Sequence, residues 1–287
     1  MRFPKTTLNC GGRLLDLSRP RIMGIINLTP DSFYAASRKA GIDESLAEAE
    51  KMLAEGADIL DLGAMSSRPG AELIGTNAEQ DRLLPSLEAI VKAHPEAIIS
   101  VDTIYAGTAK AAVAAGASII NDISAGTLDE QMLTTIPSLG VPYVMMHMRG
   151  KPADMQQQTD YENLLVEIVD FLAPRIEQLT QDGQHDIVID PGFGFGKTVE
   201  QNYELLDRLG ELRLFDRPIL AGLSRKSMIW RPLGIKPENA LNGTTALNMA
   251  ALERGASILR VHDVAEAREV VELFIYMKKY NFISSNK

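Results

Sequence analysis

The chain has 287 residues, 45% of them hydrophobic and 23% charged, which describes an ordinary soluble globular protein. A net charge of −9 argues against nonspecific nucleic-acid binding, and a single cysteine, Cys10, excludes an internal disulfide and points to a reducing compartment. No apolar run is long enough to cross a bilayer, and residues 1–20 lack a signal-peptide core, so no membrane is involved and the expected location is the cytoplasm.

Residues 1–20 read as a short extension before the first strand. Apolar runs then predict strands at Ile22–Asn27, Ile59–Leu62, Ile98–Asp102, Ile119–Asn121, Pro142–His147, Ile187–Asp190, Pro218–Gly222 and Ser257–Val261. Helical patterns separate them. The most regular is Tyr161–Asp182, with Leu165, Ile168, Leu172, Ile176 and Leu179 on one face. Asp160 is its expected cap, Gly183 its stop and Pro174 a kink site.

One fragment occurs three times, as Glu55-Gly56-Ala57-Asp58-Ile59-Leu60, Ala115-Gly116-Ala117-Ser118-Ile119-Ile120 and Arg254-Gly255-Ala256-Ser257-Ile258-Leu259. Each reads as a glycine closing a helix in the left-handed conformation, followed by a link into an apolar strand. These are the corners of a repeated unit. Repetition along the whole chain, with no linker, predicts one (β/α)8 TIM-barrel domain over 1–287 with the short N-terminal extension. A doubly wound open sheet is the rival.

Nearly every expected strand ends in a polar group: Asn27, Asp61, Asp102, Asn121, His147, Asp190, the run Ser224-Arg225-Lys226, and Arg260 with His262. In a barrel these ends converge on the face where active sites lie. For Asp61 alone, a polar residue entering a loop is explanation enough; for the set it is not. Asp102, Asn121 and Asp190 suit the N–H edge of a heterocycle. Arg68, Arg225, Lys226, Arg260 and His262 point to an anionic substrate such as a phosphate. The histidines lack the spacing of a zinc site, and there is no Ser-His-Asp signature.

The stretch Ile189–Thr198, "IDPGFGFGKT", imitates a phosphate loop and fails as one. Pro191 stands where the Walker motif requires glycine, and Lys197 stands where a dinucleotide fingerprint requires it.

With these residues in hand, the chain resembles the dihydropteroate synthases, folate-pathway enzymes of the pterin-binding barrel family. The resemblance runs from about Ile22 to Val264. It rests on "MGIINLTPDSF" (Met23–Phe33), "SSRPGA" (Ser66–Ala71), "SVDT" (Ser100–Thr103), "INDIS" (Ile120–Ser124), "MMHMRGKP" (Met145–Pro152), "DPGFGFGKT" (Asp190–Thr198), "GLSRKS" (Gly222–Ser227) and "RVHDV" (Arg260–Val264). It implies condensation of 6-hydroxymethyl-7,8-dihydropterin diphosphate with p-aminobenzoate, through a pterin cation. It assigns pterin binding to Asp102, Asn121, Met146, Asp190 and Lys226. Diphosphate falls to Asn27, Arg68, Arg260 and His262, with Mg²⁺ held by Asn27. The p-aminobenzoate site falls to Phe33, Ser67, Arg68, Pro69, Phe195 and Ser227. Asp102, Lys226, Arg260 and His262 carry the chemistry. A homodimer is typical of such enzymes; Val270–Phe274 in the last helix reads first as core packing and second as a candidate interface.

The chain departs from the family where Ala35 and Ala36 replace the usual acid and first glycine of loop one, and where Gly63-Ala64-Met65-Ser66-Ser67 replaces "GGEST". Two other readings share the pterin residues: a folate-dependent methyltransferase on the same barrel, and a non-catalytic pterin-binding homologue.

Overall fold

In a computed structural model, residues 6–28, 35–66, 68 and 70–284 are described. A hairpin of β1 (Thr7–Cys10) and β2 (Arg13–Asp16) comes first. Eight strands follow: β3 (Arg21–Asn27), β4 (Ile59–Gly63), β5 (Ile99–Asp102), β6 (Ile119–Asp122), β7 (Tyr143–Met146), β8 (Ile187–Asp190), β9 (Leu220–Ala221) and β10 (Ile258–Val261). They pair in parallel in the order β8-β7-β6-β5-β4-β3-β10-β9. An isolated parallel bridge between Ile189 and Ile219 joins the two ends. The result is a (β/α)8 barrel, and each expected apolar run supplies one of its strands. The β8–β9 seam is the thinnest joint, since Pro218 has no N–H and β9 has two residues.

The helices are α1 (Ala35–Ala54), α2 (Thr76–Ala93), α3 (Ala106–Ala114), α4 (Met132–Leu139), α5 (Leu164–Gln181), α6 (Val199–Asp207), α7 (Ser227–Leu233), α8 (Leu241–Glu253) and α9 (Val264–Ser284). Helix α5 buries the predicted stripe but starts later than expected. Its cap is Asn163, whose side chain accepts from Val166 N at 3.3 Å, not Asp160. The Asp160 carbonyl instead accepts from Arg149.

The three repeated corners have one geometry. Gly56, Gly116 and Gly255 sit at φ +98°, +107° and +102°. The alanine after each donates back into its helix, at 2.9 Å in all three: Ala57 to Met52 O, Ala117 to Ala112 O and Ala256 to Ala251 O. The next residue donates to the neighbouring strand or the residue just before it, Asp58 to Ile22 O, Ser118 to Ile99 O and Ser257 to Ile219 O. The corner thus sets strand register as it ends the helix.

Strand alternation sorts the side chains. Leu60, Leu62, Val101, Ile120, Ile189 and Leu259 pack outward against the helices. Met23, Ile59, Ile119, Val144, Val188, Leu220 and Ile258 point inward and form one buried layer at the N-terminal end. Leu8, Cys10 and Leu15 of the hairpin, with Leu17, close that layer from below. The extension is therefore a plug.

Candidate active site at the C-terminal end of the barrel

Two residues beyond the plug on the same strands, the inward positions turn polar. On β4 that position is Asp61, on β6 Asn121, on β8 Asp190 and on β10 Arg260. Asp61 is fully buried. Its Oδ2 accepts from Arg260 Nε at 2.6 Å and from Asn121 Nδ2 at 3.1 Å. Arg260 Nη2 donates to Asp102 Oδ2 at 2.8 Å. One linked network therefore crosses four strands. The Asp61 and Asp102 carboxylates outweigh the effect of burial on Arg260 and raise its pKa, so it stays a cation. Burial pushes Asp102 up to about 7, against the pull of Arg260 and with the help of Asp61.

Asp190 is buried, and burial raises its pKa, opposed by Lys226. Its Oδ1 accepts from Gly192 N at 2.7 Å. Lys226 is the residue just before α7; its Nζ donates to the Phe193 carbonyl and lies 4.7 Å from the centre of the Phe195 ring. Burial lowers Lys226 to about 8, with Asp190 pulling the other way. Met146 and Phe195 join Ile104, Ile123, Met148 and Met155 in an apolar cluster beside the charges. A flat ring with polar edges matches such a wall.

The rim is less uniform. His262 is exposed, with Nδ1 3.0 Å from Ser224 Oγ. Partial desolvation and then the Arg260 cation hold it down at about 4, so it is neutral near pH 7. Asn27 is exposed at the end of β3. Arg68 is exposed on the loop after β4, and Ser227 is the first residue of α7. Phe33, Ser67 and Pro69 lie outside the described residues.

Arg225, counted above among the substrate-facing cations, is already neutralised. It sits at φ +56° and forks onto Asp263 at 2.9 and 2.6 Å. Its charge ties the loop after β9 to the start of α9. Two further groups carry more than their sequence positions imply. Asp61 is the hub of the network; its signal is a carboxylate in the middle of the apolar strand Ile59–Gly63, on the inward parity. Lys197 is buried, and its Nζ lies 3.0 Å from each of His147 Nδ1, Gly192 O and Phe195 O. Burial lowers Lys197 to about 7, partly opposed by Asp190. His147 is held well below its ordinary value by burial and then by Lys197, so it is neutral.

The model of the pterin binding enzyme family matches residues 23–262. This chain belongs to that family. It is similar to the dihydropteroate synthase of Haemophilus influenzae, at 40% identity over 93% of this chain and 97% of that protein. It is 39% identical to that of Escherichia coli, over 93% and 96%. Among solved structures, the Yersinia pestis dihydropteroate synthase with a sulfonamide drug complex superposes with a TM-score of 0.89, at 38% identity and coverage of 95% and 99%. The Xanthomonas albilineans enzyme in complex with 7,8-dihydropteroate gives 0.82, at 35% identity and coverage of 96% and 99%. In this pterin-binding enzyme the Ile189–Thr198 stretch has no phosphate-loop geometry: Lys197 turns inward, and Thr198 and Gln201 form the capping box of α6.

Proposed function

We propose that this chain joins 6-hydroxymethyl-7,8-dihydropterin diphosphate to p-aminobenzoate, the dihydropteroate synthase reaction. The observation that carries the reading is the Asn121–Asp61–Arg260–Asp102 network, a buried recognition surface placed where a barrel holds its substrate. Asp190 and Asn121 bind the aminopyrimidine edge, with Lys226 at the ring and Met146 on its face. Phe195 and Ser227, with Phe33, Ser67, Arg68 and Pro69, shape the p-aminobenzoate site.

The C–O bond to diphosphate breaks first, because the pterin delocalises the cation left behind. Asp102, beside Asp61, contributes negative charge toward that cation. Arg260 and His262 stand on the leaving-group side, His262 as a neutral donor. The arylamine then attacks the methylene carbon, so no protein nucleophile is required.

Mg²⁺ fits as an ion shared with substrate. Asn27 offers one exposed neutral oxygen, and no cluster of three His, Cys, Asp or Glu side chains occurs among the described residues. Magnesium commonly takes one or two protein oxygens and completes its shell with phosphate and water. Asn27 would hold it, and when bound it would supply positive charge to the diphosphate.

We also propose a homodimer. Val270 and Val271 belong to the core, so the candidate interface shifts along α9 to exposed Leu273, Tyr276, Met277 and Tyr280. The test of function is incubation with the pterin diphosphate, Mg²⁺ and labelled p-aminobenzoate. Labelled dihydropteroate is expected; its absence with folded protein would leave a methyltransferase or a binding protein.

A further inference from the structure

Within the false phosphate loop the functional reading uses Asp190 and Phe195 but leaves Lys197 without a part, and this lysine is closely held. An ammonium has three N–H groups. Lys197 Nζ has three acceptors at 3.0 Å, the Gly192 carbonyl, the Phe195 carbonyl and His147 Nδ1. In the charged form these contacts take all three protons, and His147 Nδ1 is then the acceptor. An ammonium so used cannot reach a phosphate.

What those bonds hold together is informative. The Gly192 carbonyl that takes Lys197 also accepts from Phe195 N at 3.1 Å. The Gly192 amide binds Asp190 Oδ1 at 2.7 Å. The Phe193 carbonyl in the same turn takes Lys226 Nζ. Outer bonds brace the turn, from Gly194 N to Asn202 Oδ1 at 2.6 Å and from Tyr161 OH to Gly196 O at 2.9 Å. There is no room for slack: a Cβ on Gly192, at φ +74°, would lie 1.9 Å from the His147 carbonyl oxygen. The turn is drawn against β7 from inside, and its outer surface presents Phe195 to the apolar cluster.

We propose that Lys197 is a positioning residue for this reaction: its ammonium ties the Gly192–Phe195 turn to His147 and thereby sets Phe195, Lys226 and the Asp190 carboxylate. The assignment rests on the functional reading above. It makes the lysine of the "GKT" triplet an internal strut, with Thr198 free to cap α6.

Removing the strut loosens the turn without removing any group that touches substrate. In Lys197→Met, amide hydrogen exchange of Gly192, Gly194 and Phe195 speeds up about 10-fold or more, relative to amides of β6 and β7. The KM for p-aminobenzoate rises about 10-fold, while kcat changes less than about 3-fold, because the arylamine depends most on Phe195. A lowered melting temperature with unchanged KM and unchanged turn amides would overturn the proposal, reducing Lys197 to a stability residue. A raised KM with unchanged amide exchange would overturn it too. Should Lys197→Met yield no folded protein, His147→Ala removes one of the three acceptors, together with the ring contacts to Tyr161 and Phe171; a KM rise of about 3-fold with faster turn amides is expected, and finding neither would refute the strut. The amide-exchange arm needs no turnover. An inactive wild-type protein would therefore sink the functional reading while leaving the strut itself testable.

Discussion

Along the inside of the barrel, Met23, Ile59, Ile119, Val144, Val188, Leu220 and Ile258 meet the leucines of the hairpin. Two residues further along the same strands stand Asp61, Asn121, Asp190 and Arg260, roughly 7 Å away at ~3.3 Å per strand residue. The first end is apolar and satisfied by contact alone. The second holds buried carboxylates and cations that are costly to desolvate and stable only as a linked set. Apolar burial secures folding at one end, while the other end keeps its charges buried. The contrast yields predictions, from largest expected effect to smallest.

Arg260→Met should be the most damaging change. It leaves Asp61 and Asp102 as uncompensated carboxylates at a cost of about 3–5 kcal/mol. Turnover should fall about 100-fold or more, since a charge-stabilising group is lost. Steady-state kinetics and denaturant titration check both. Equal loss for the diphosphate substrate and for a pterin without phosphates would make Arg260 purely structural.

Leu8→Ala is the counterpart at the closed end. Leu8 is fully buried, so the change should cost about 2–5 kcal/mol in stability. The kcat of the protein that remains folded should not change. A kcat loss comparable with that of Arg260→Met would erase the division between the two ends.

Asp190→Asn should weaken pterin binding by about 1.5–3 kcal/mol, because one charged acceptor becomes a misplaced donor. Calorimetry with a pterin ligand measures it, and unchanged affinity in folded protein would move the site elsewhere.

The remaining effect is a pH dependence confined to the open end. Burial raises Asp102 from 3.8 to about 7. The folded state then binds the proton more tightly than the unfolded chain between those values. Its contribution to stability is present below about pH 4 and is lost as pH rises through 7. Activity runs the other way: kcat/KM should fall as pH drops through about 7, because Asp102 loses the charge that faces the pterin cation. Leu8→Ala should shift melting temperature equally at pH 5 and pH 8. A kcat/KM profile flat from pH 5 to 8 would remove Asp102 from the chemistry.

Much of this organisation was legible in the residue order, for identifiable reasons. The corners at Gly56, Gly116 and Gly255 are local, three or four residues deciding each bond, and they revealed the repeat. That Asn121, Asp190 and Arg260 gather at one end of the barrel was legible from their places at the ends of expected strands. Asp61 was underrated because its partner Arg260 lies 199 residues away, a pairing that no local pattern encodes. Arg225 was overrated for the same reason, since Asp263 neutralises it from another element. Lys197 has a side chain long enough to turn either way; only the packed carbonyls of Gly192 and Phe195 decide its direction. Asp160 lost the helix cap to Asn163 by a shift along the chain that periodicity does not resolve.

The barrel's thin seam gives substrate a mechanical part to play. Between β8 and β9 the staves are joined by the isolated Ile189–Ile219 bridge, which includes the bond from Ile189 N to Pro218 O at 2.9 Å. Asp190 ends one stave and Lys226 follows the other, and the Lys226 bond to the Phe193 carbonyl already spans the gap. A pterin held by Asp190 and Lys226 together would act as a clasp on a hoop. Binding there would add a link across the joint where the backbone provides fewest.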